Sequence, residues 1–159
     1  MTLIVRPYRI EEFDRACEIR SIPDEPERRE RFFNRFKNLG AWDDHYQHLA
    51  IDLDGVLIGD FQLRKCDFTR PDGALEMGIE LAEESRGVGL GTQALIAGAK
   101  YAFAQGAHRI EGSTAEDNLG MRRAFEKAGW KFEGVLRALF IEDGVPQDYY
   151  SYSITKFDK

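Results

Sequence analysis

The run Arg86-Gly87-Val88-Gly89-Leu90-Gly91-Thr92 places glycine at alternate positions. With side chains stripped from such a turn, several backbone N–H groups can converge on one object. The helix expected to open at its end adds unpaired first-turn donors and the positive end of its dipole. Arg86 adds a full charge beside them. A bowl of that kind suits a pyrophosphate, so the chemistry of the loop is anion capture. Carboxylates lie near it in the chain: Glu76 and Glu80 precede the loop, and Glu111 follows its last glycine by about 20 residues.

The elements that must position this loop are readable from periodicity. Residues 74–81 alternate Glu76, Gly78 and Glu80 with Met77, Ile79 and Leu81, the pattern of a strand with two unlike faces. Residues 91–104, with Ala94, Leu95, Gly98 and Ala102 in register, read as the helix that follows. Upstream, residues 3–5 form a short strand closed by Pro7. Ile10, Phe13 and Cys17 then mark one face of a first helix. A second helix is expected to open near Asp24, capped with Glu27, to carry Phe32, Phe33, Phe36 and Leu39, and to stop at Gly40. Residues 46–52 and 56–65 read as strands joined by Asp54-Gly55, a type I′ hairpin signal. Pro71-Asp72-Gly73 turns the chain into the strand over 74–81. Downstream come a strand over 109–113 and a helix from about Asn118 bearing Met121, Ala124, Phe125 and Ala128, with Gly129 at its end. Strands over 131–142 and 147–155 turn at Asp143-Gly144. A meander, a strand–helix–strand core and a closing hairpin make a mixed α/β sheet, not a doubly wound one.

Composition narrows the partners. The chain has 159 residues, the size of one domain with a real core. Its 22 basic and 28 acidic residues give a net charge of −6, which argues against a nucleic-acid binder and favours cationic partners such as amines. Cys17 and Cys66 lack any framework spacing, which fits a reduced, cytoplasmic compartment. Glu11 and Glu12 arrive before any long apolar stretch, so the start does not read as a leader. No apolar run approaches the ~20 residues that cross a bilayer. His45 and His48 are three apart, but no further ligand cluster supports a metal, and none is expected.

Three phosphate binders compete for the loop. A P-loop needs Gly-Lys-Ser/Thr, whereas Thr92-Gln93 follows Gly91. A dinucleotide-binding oxidoreductase fits Gly89-Leu90-Gly91-Thr92-Gln93-Ala94, with Glu111 as a ribose-binding acid. Against it, Ala82-Glu83-Glu84-Ser85 separates strand from loop, and the strand belongs to a meander. The third candidate covers more of the chain. Arg86-x-x-Gly89-x-Gly91 resembles the acyl-CoA loop of the GNAT superfamily of N-acetyltransferases. Asn118 followed by Phe125-Glu126-Lys127-Ala128-Gly129-Trp130 is similar to that family's second motif. Gly134-Val135-Leu136-Arg137 and Asp148-Tyr149-Tyr150-Ser151-Tyr152-Ser153-Ile154 resemble the branch of ribosomal-protein N-terminal acetyltransferases.

The resemblance implies a single GNAT-like domain over residues 1–159. Its sheet would be mostly antiparallel, with one parallel strand pair at the acyl-CoA site and about four flanking helices. It implies acetyl-CoA as cosubstrate and direct acetyl transfer to an amine of a protein N-terminus or small molecule. The backbone of Arg86, Gly87, Val88, Gly89, Leu90, Gly91 and Thr92 would hold the pyrophosphate. Ile79, Glu80 and Leu81 would pair with the pantetheine amides, and Asn118 would bond the pantetheine arm while also able to cap its helix. Arg123 and Lys127 are one helical turn apart, as a solvated face or as partners for the nucleotide's phosphates. Since a free amine is mostly protonated at neutral pH, a carboxylate base helps. Glu80 is the first candidate and Glu111 the second, with a backbone N–H near Leu81 as oxyanion donor.

The chain departs from the family at two positions. Phe125 stands where relatives carry an acid Tyr, and Met121 where the ribosomal branch often has Ser. The general acid is therefore open, with Tyr149 or Tyr150 as substitutes, and a non-catalytic acyl-CoA-binding sensor is the rival from another class. Phe32, Phe33, Phe36 and Trp42 would wall an acceptor cleft or fill the core beneath it. The C-terminal strands offer a route to a homodimer.

Overall fold

Among the described residues, seven strands form one mixed sheet in the order β1-β2-β3-β4-β5-β7-β6, and only β4 and β5 run parallel. The strands are β1 (Leu3–Arg6), β2 (Tyr46–Leu53), β3 (Val56–Lys65), β4 (Ala74–Leu81), β5 (Arg109–Ala115), β6 (Lys131–Glu142) and β7 (Val145–Thr155). Among the described residues, four helices flank them: α1 (Phe13–Ile19), α2 (Pro26–Phe36), α3 (Leu90–Ala104) and α4 (Leu119–Lys127). The computed structural model describes residues 1–70 and 72–159, so Pro71 of the expected turn lies outside the described residues. The mixed α/β class and the single parallel pair expected from sequence are both present. Among the described residues no helix is long and apolar enough to cross a membrane.

The hairpin signals act as their chemistry requires. Asp54 and Gly55 both take positive φ (51° and 91°), as do Asp143 and Gly144 (49° and 78°), which matches the twist of the strands they join. The second helix differs from expectation. It opens on Pro26 in its first turn with Glu25 before it, and Asp24 makes no cap. Proline's fixed φ is already helical and its missing N–H costs nothing there. Ile10 is exposed in a 3-10 turn (Ile10–Glu12) ahead of α1, and Leu39 lies past α2 with a φ of 46°.

Alternation along the strands sorts two cores. Leu49, Ile51, Phe61, Leu63 and Met77 face α3 and α4, and α3 sits so close that a Cβ on Gly98 would collide with the Phe61 ring. Ala50 faces the other way and meets Tyr8, Cys17, Phe32 and Phe36 beneath α1 and α2. On that second face Asp60 is fully buried and accepts from Tyr8 Oη at 2.6 Å, Arg20 Nη1 at 2.8 Å and Gln62 Nε2 at 2.8 Å. Burial, reinforced by Asp60, pushes the Tyr8 hydroxyl far above its usual value and keeps it protonated. Over β4 and β5 the same face leaves Gly78, Glu80 and Ser113 exposed.

Candidate active site

The parallel pairing of β4 with β5 lasts for Ala74↔Arg109, Leu75↔Ile110 and Glu76↔Glu111, then stops. Past that point Phe125 of α4 rests on Gly112, where a Cβ would lie 3.1 Å from Phe125 Cζ and 3.3 Å from the Met77 carbonyl. The free ends of the two strands open into a cleft of about 640 Å³. Its β4 wall is Met77 to Leu81, and its β5 wall is Ser113 and Thr114. Gly87, Gly89, Gly91 and Thr92 close one end, while Asn118, Gly120, Met121, Arg123 and Lys127 line the α4 side.

The glycine loop has the form its sequence implies. Gly87 and Gly89 take φ of 76° and 86°, and Gly89 is the N-cap of α3 with no side-chain cap bond. An L side chain is strained at such angles, whereas glycine is not. The first helical donor to find an acceptor is Gln93, whose N–H reaches the Gly89 carbonyl at 3.4 Å. Among the described residues, no acceptor satisfies the N–H groups of Gly87 through Thr92. They are left at the positive end of a 15-residue helix, beside the cleft. The side chains of Val88 and Leu90 do not line it: Val88 is exposed and Leu90 is buried in the core, so only their backbone is available.

Arg86 and Glu80 are brought together. Arg86 Nη2 lies 2.8 Å from Glu80 Oε1, and Arg86 Nε donates to the Leu81 carbonyl at 2.9 Å. Both side chains are about half exposed and both line the cleft. Asn118 lines the cleft and caps α4, its Oδ1 accepting the Met121 N–H at 3.1 Å, and among the described residues its amide Nδ2 has no partner. Arg123 and Lys127 have no ion-pair partner among the described residues.

Glu111 is a different case. It sits at the last paired register position and does not line the cleft. Arg109 Nη2 holds its Oε2 at 2.9 Å, and Cys66 Sγ lies 4.0 Å from its Oε1. Burial, helped by the Glu111 charge, raises the Cys66 thiol above its usual value, so it is a protonated neighbour. The structure thus does not bring Glu111 to the site as a base, nor as the ribose-binding acid of a dinucleotide fold.

Several aromatic candidates are core. Phe32 and Phe36 are buried, Phe33 is partly exposed, and Trp42 packs on the main core under Lys65. Phe125 is buried, stacked on Tyr152 at 4.7 Å, and Met121 is partly buried against the same core. Tyr149 and Tyr150 do not line the cleft; Tyr150 Oη instead donates to Glu116 at 3.4 Å. The two histidines diverge. His45 pairs with Asp67 at 3.3 Å, while His48 is buried with neither ring nitrogen bonded and is pushed below its usual value by that burial. Sequence reasoning missed Ser113, Thr114 and Gly120, which line the cleft. The one signal for the strand residues was their place just after Gly112.

A family model described as an acetyltransferase (GNAT) domain matches residues 2–131. No curated protein matches the chain in sequence. Among solved structures, an acetyltransferase (GNAT family) from Bacillus anthracis superposes with a TM-score of 0.79 at 23% identity, over 99% of this chain and 97% of that one. Spermidine N-acetyltransferase from Vibrio cholerae, in complex with CoA and spermine, gives 0.77 at 20%, over 97% and 95%. Mycobacterium smegmatis RimJ, in complex with CoA-disulfide, gives 0.76 at 21%, over 97% and 82%.

Proposed function

The chain belongs to the GNAT acetyltransferase family, and from that premise we propose that it moves an acetyl group directly from acetyl-CoA to a primary amine. The acceptor is the amine of a protein N-terminus or of a small molecule, and residues 1–159 act as one cytoplasmic catalytic domain. The observation that carries the cosubstrate is the row of unsatisfied N–H groups from Gly87 to Thr92 at the mouth of the strand cleft. Two of the structural neighbours hold CoA or its disulfide, which supports the same ligand.

In this reading the pyrophosphate rests on those amides. Arg123 and Lys127 meet the nucleotide's phosphates. Pantetheine lies along the free edge of β4 at Ile79, Glu80 and Leu81, and Asn118 donates to it from the opposite side. The thioester then reaches the level of Gly78 and Glu80. The amine nitrogen forms a bond to the thioester carbonyl, its proton passes to Glu80 directly or through water, and the C–S bond breaks to release CoA thiolate. A backbone N–H near Leu81 faces the oxyanion. Arg86 holds Glu80 in place and adds charge near the phosphates. Water protonates the thiolate, which is a tolerable leaving group with a pKa near ~8.5.

The test is single-turnover transfer from acetyl-CoA to a panel of amines. The panel holds spermidine, an alanine-led peptide, free amino acids and an aminoglycoside, with product read by mass spectrometry. An acetylated amine supports the reading. Acetyl-CoA binding with no acetylated product overturns it in favour of a sensor, which the apolar Phe125 and Met121 positions would then explain.

A further inference from the structure

Asp60 on β3 is a fully buried carboxylate with three donors: Tyr8 Oη at 2.6 Å, Arg20 Nη1 at 2.8 Å and Gln62 Nε2 at 2.8 Å. A carboxylate offers acceptors only, so the Gln62 amide must present its Nε2 to Asp60. That decides which end of the amide is left over. Among the described residues, the Gln62 carbonyl Oε1 has no donor. His48, the register partner of Gln62 on β2, is buried with neither ring nitrogen bonded, so it supplies none.

On its other side Gln62 pairs with Gly78 of β4. Gly78 has no positive φ, the β3–β4 register passes it without a bulge, and a Cβ there would meet nothing within 4 Å. Neither strain nor packing therefore calls for glycine. Inside a strand such a glycine weakens pairing and marks a place that a ligand approaches closely. Gln62 and Glu80 stand on this face as diagonal neighbours, about 7–8 Å apart at Cα and within reach of long side chains. The nearby carboxylates each have an arginine: Glu76 has Arg64, Glu80 has Arg86 and Glu111 has Arg109. The Gln62 carbonyl has none.

We infer that Gln62 makes the site select a primary amine, its carbonyl accepting one N–H of the acceptor nitrogen over Gly78 while Glu80 receives the proton of another. The inference rests on the proposed acetyl transfer. A neutral primary amine has two N–H bonds. Gln62 holds one, and the proton of the other passes to Glu80 as the C–N bond forms and the C–S bond breaks to release CoA thiolate. The nitrogen ends as an amide that still carries the N–H held by Gln62. A secondary amine has a single N–H, so it must give up one of the two contacts, and its extra carbon then meets the Gln62 carbonyl. Tyr8, Arg20 and Asp60 act through Gln62 as positioning residues.

Steady-state kinetics tests this by comparing the best primary amine of the panel with its N-methyl analogue. Wild type is expected to prefer the primary amine. Gln62→Met keeps the side chain's length and removes the acceptor. It should raise the primary-amine KM roughly 3- to 10-fold, leave the acetyl-CoA KM alone and shrink the preference by the same factor. Gln62→Glu supplies an acceptor again and should keep the preference. Should Gln62→Met fail to fold, Gln62→Asn, which withdraws the carbonyl by one methylene, carries the same expectation. A purely structural role would lower the melting temperature and slow both amines alike. An unchanged primary-to-secondary ratio in these variants, or a wild type with no preference, overturns the inference alone. Absence of any acetylated amine in wild type overturns the proposed function, and this inference with it.

Discussion

Thr92 allows one backbone donor of the loop to be deleted without touching the rest of the fold. It lies in the first turn of α3 and lines the cleft, and among the described residues its N–H has no acceptor. Proline is tolerated in a helix's first turn because no internal hydrogen bond is lost there. The preceding residue is Gly91, which lacks the Cβ that a following proline would crowd. Thr92→Pro should therefore melt within about 1 kcal/mol of wild type. Against a phosphate the missing bond is charge-assisted, worth about 1.5–3 kcal/mol, so CoA should bind roughly 10- to 150-fold more weakly. Thr92→Val is the control, since it removes the hydroxyl and keeps the N–H. Calorimetry with CoA on both variants, with thermal melts alongside, isolates the amide. If Thr92→Pro binds CoA within twofold of Thr92→Val, the backbone does not hold the pyrophosphate and the loop has been misread.

Three further outcomes follow from the same geometry. Arg86→Glu reverses a charge beside the loop and sets it against Glu80, so CoA affinity should fall roughly tenfold; unchanged calorimetric affinity would take Arg86 out of phosphate binding. Glu80→Gln should lower kcat/KM by roughly 10²–10⁴, most strongly below neutral pH where unprotonated amine is scarce, and a pH–rate profile that overlays wild type would remove Glu80 as base. Glu133 accepts from Arg109 at 2.8 and 2.6 Å and from Ser153 at 2.7 Å. The Arg109 guanidinium is the main reason its carboxyl falls from 4.5 to about 2. A depressed carboxylate stabilises the fold above its unfolded value and loses that contribution as pH falls from 4.5 towards 2. Because the side chain is 38% exposed, the contribution is about 1 kcal/mol and not the full value of the shift. Glu133→Gln should thus melt lower than wild type at pH 7, with the gap closing by about pH 2. A gap that persists in acid contradicts this account.

Strand periodicity and turn chemistry made most of the fold legible. The bounds of β3, β4 and β6 lie where alternation places them, because half-buried strands write their faces into the chain. The glycine loop was legible because positive φ and bare amides leave a residue-type signature. What could not be read is set by register between distant segments. That β4 and β5 part after Glu76 and Glu111 depends on how Phe125, from another element, lands on Gly112. Glu111 was therefore expected in a cleft whose β5 wall begins two residues beyond it, at Ser113. The Arg86–Glu80 contact depends on the path of the chain through the Glu83–Ser85 turn, which carries no periodic signal.

Phe125 shows how packing and chemistry compete for one position. Its ring stacks on Tyr152 with an interplanar angle of 7°, tilts onto Trp130 at 5.1 Å, and points Cζ at Gly112. A Cβ on Gly112 would lie 3.1 Å from that Cζ and 3.3 Å from the Met77 carbonyl, so any larger residue at 112 would overpack this contact at a cost of about 1–3 kcal/mol. The ring sits at the point where the two strands separate, so its shape maintains the opening through which pantetheine would enter. Phenylalanine keeps that wedge and offers no acidic hydroxyl there. In the proposed reaction, the rate therefore comes from amine deprotonation near Glu80 and from the main-chain donors at the end of β4.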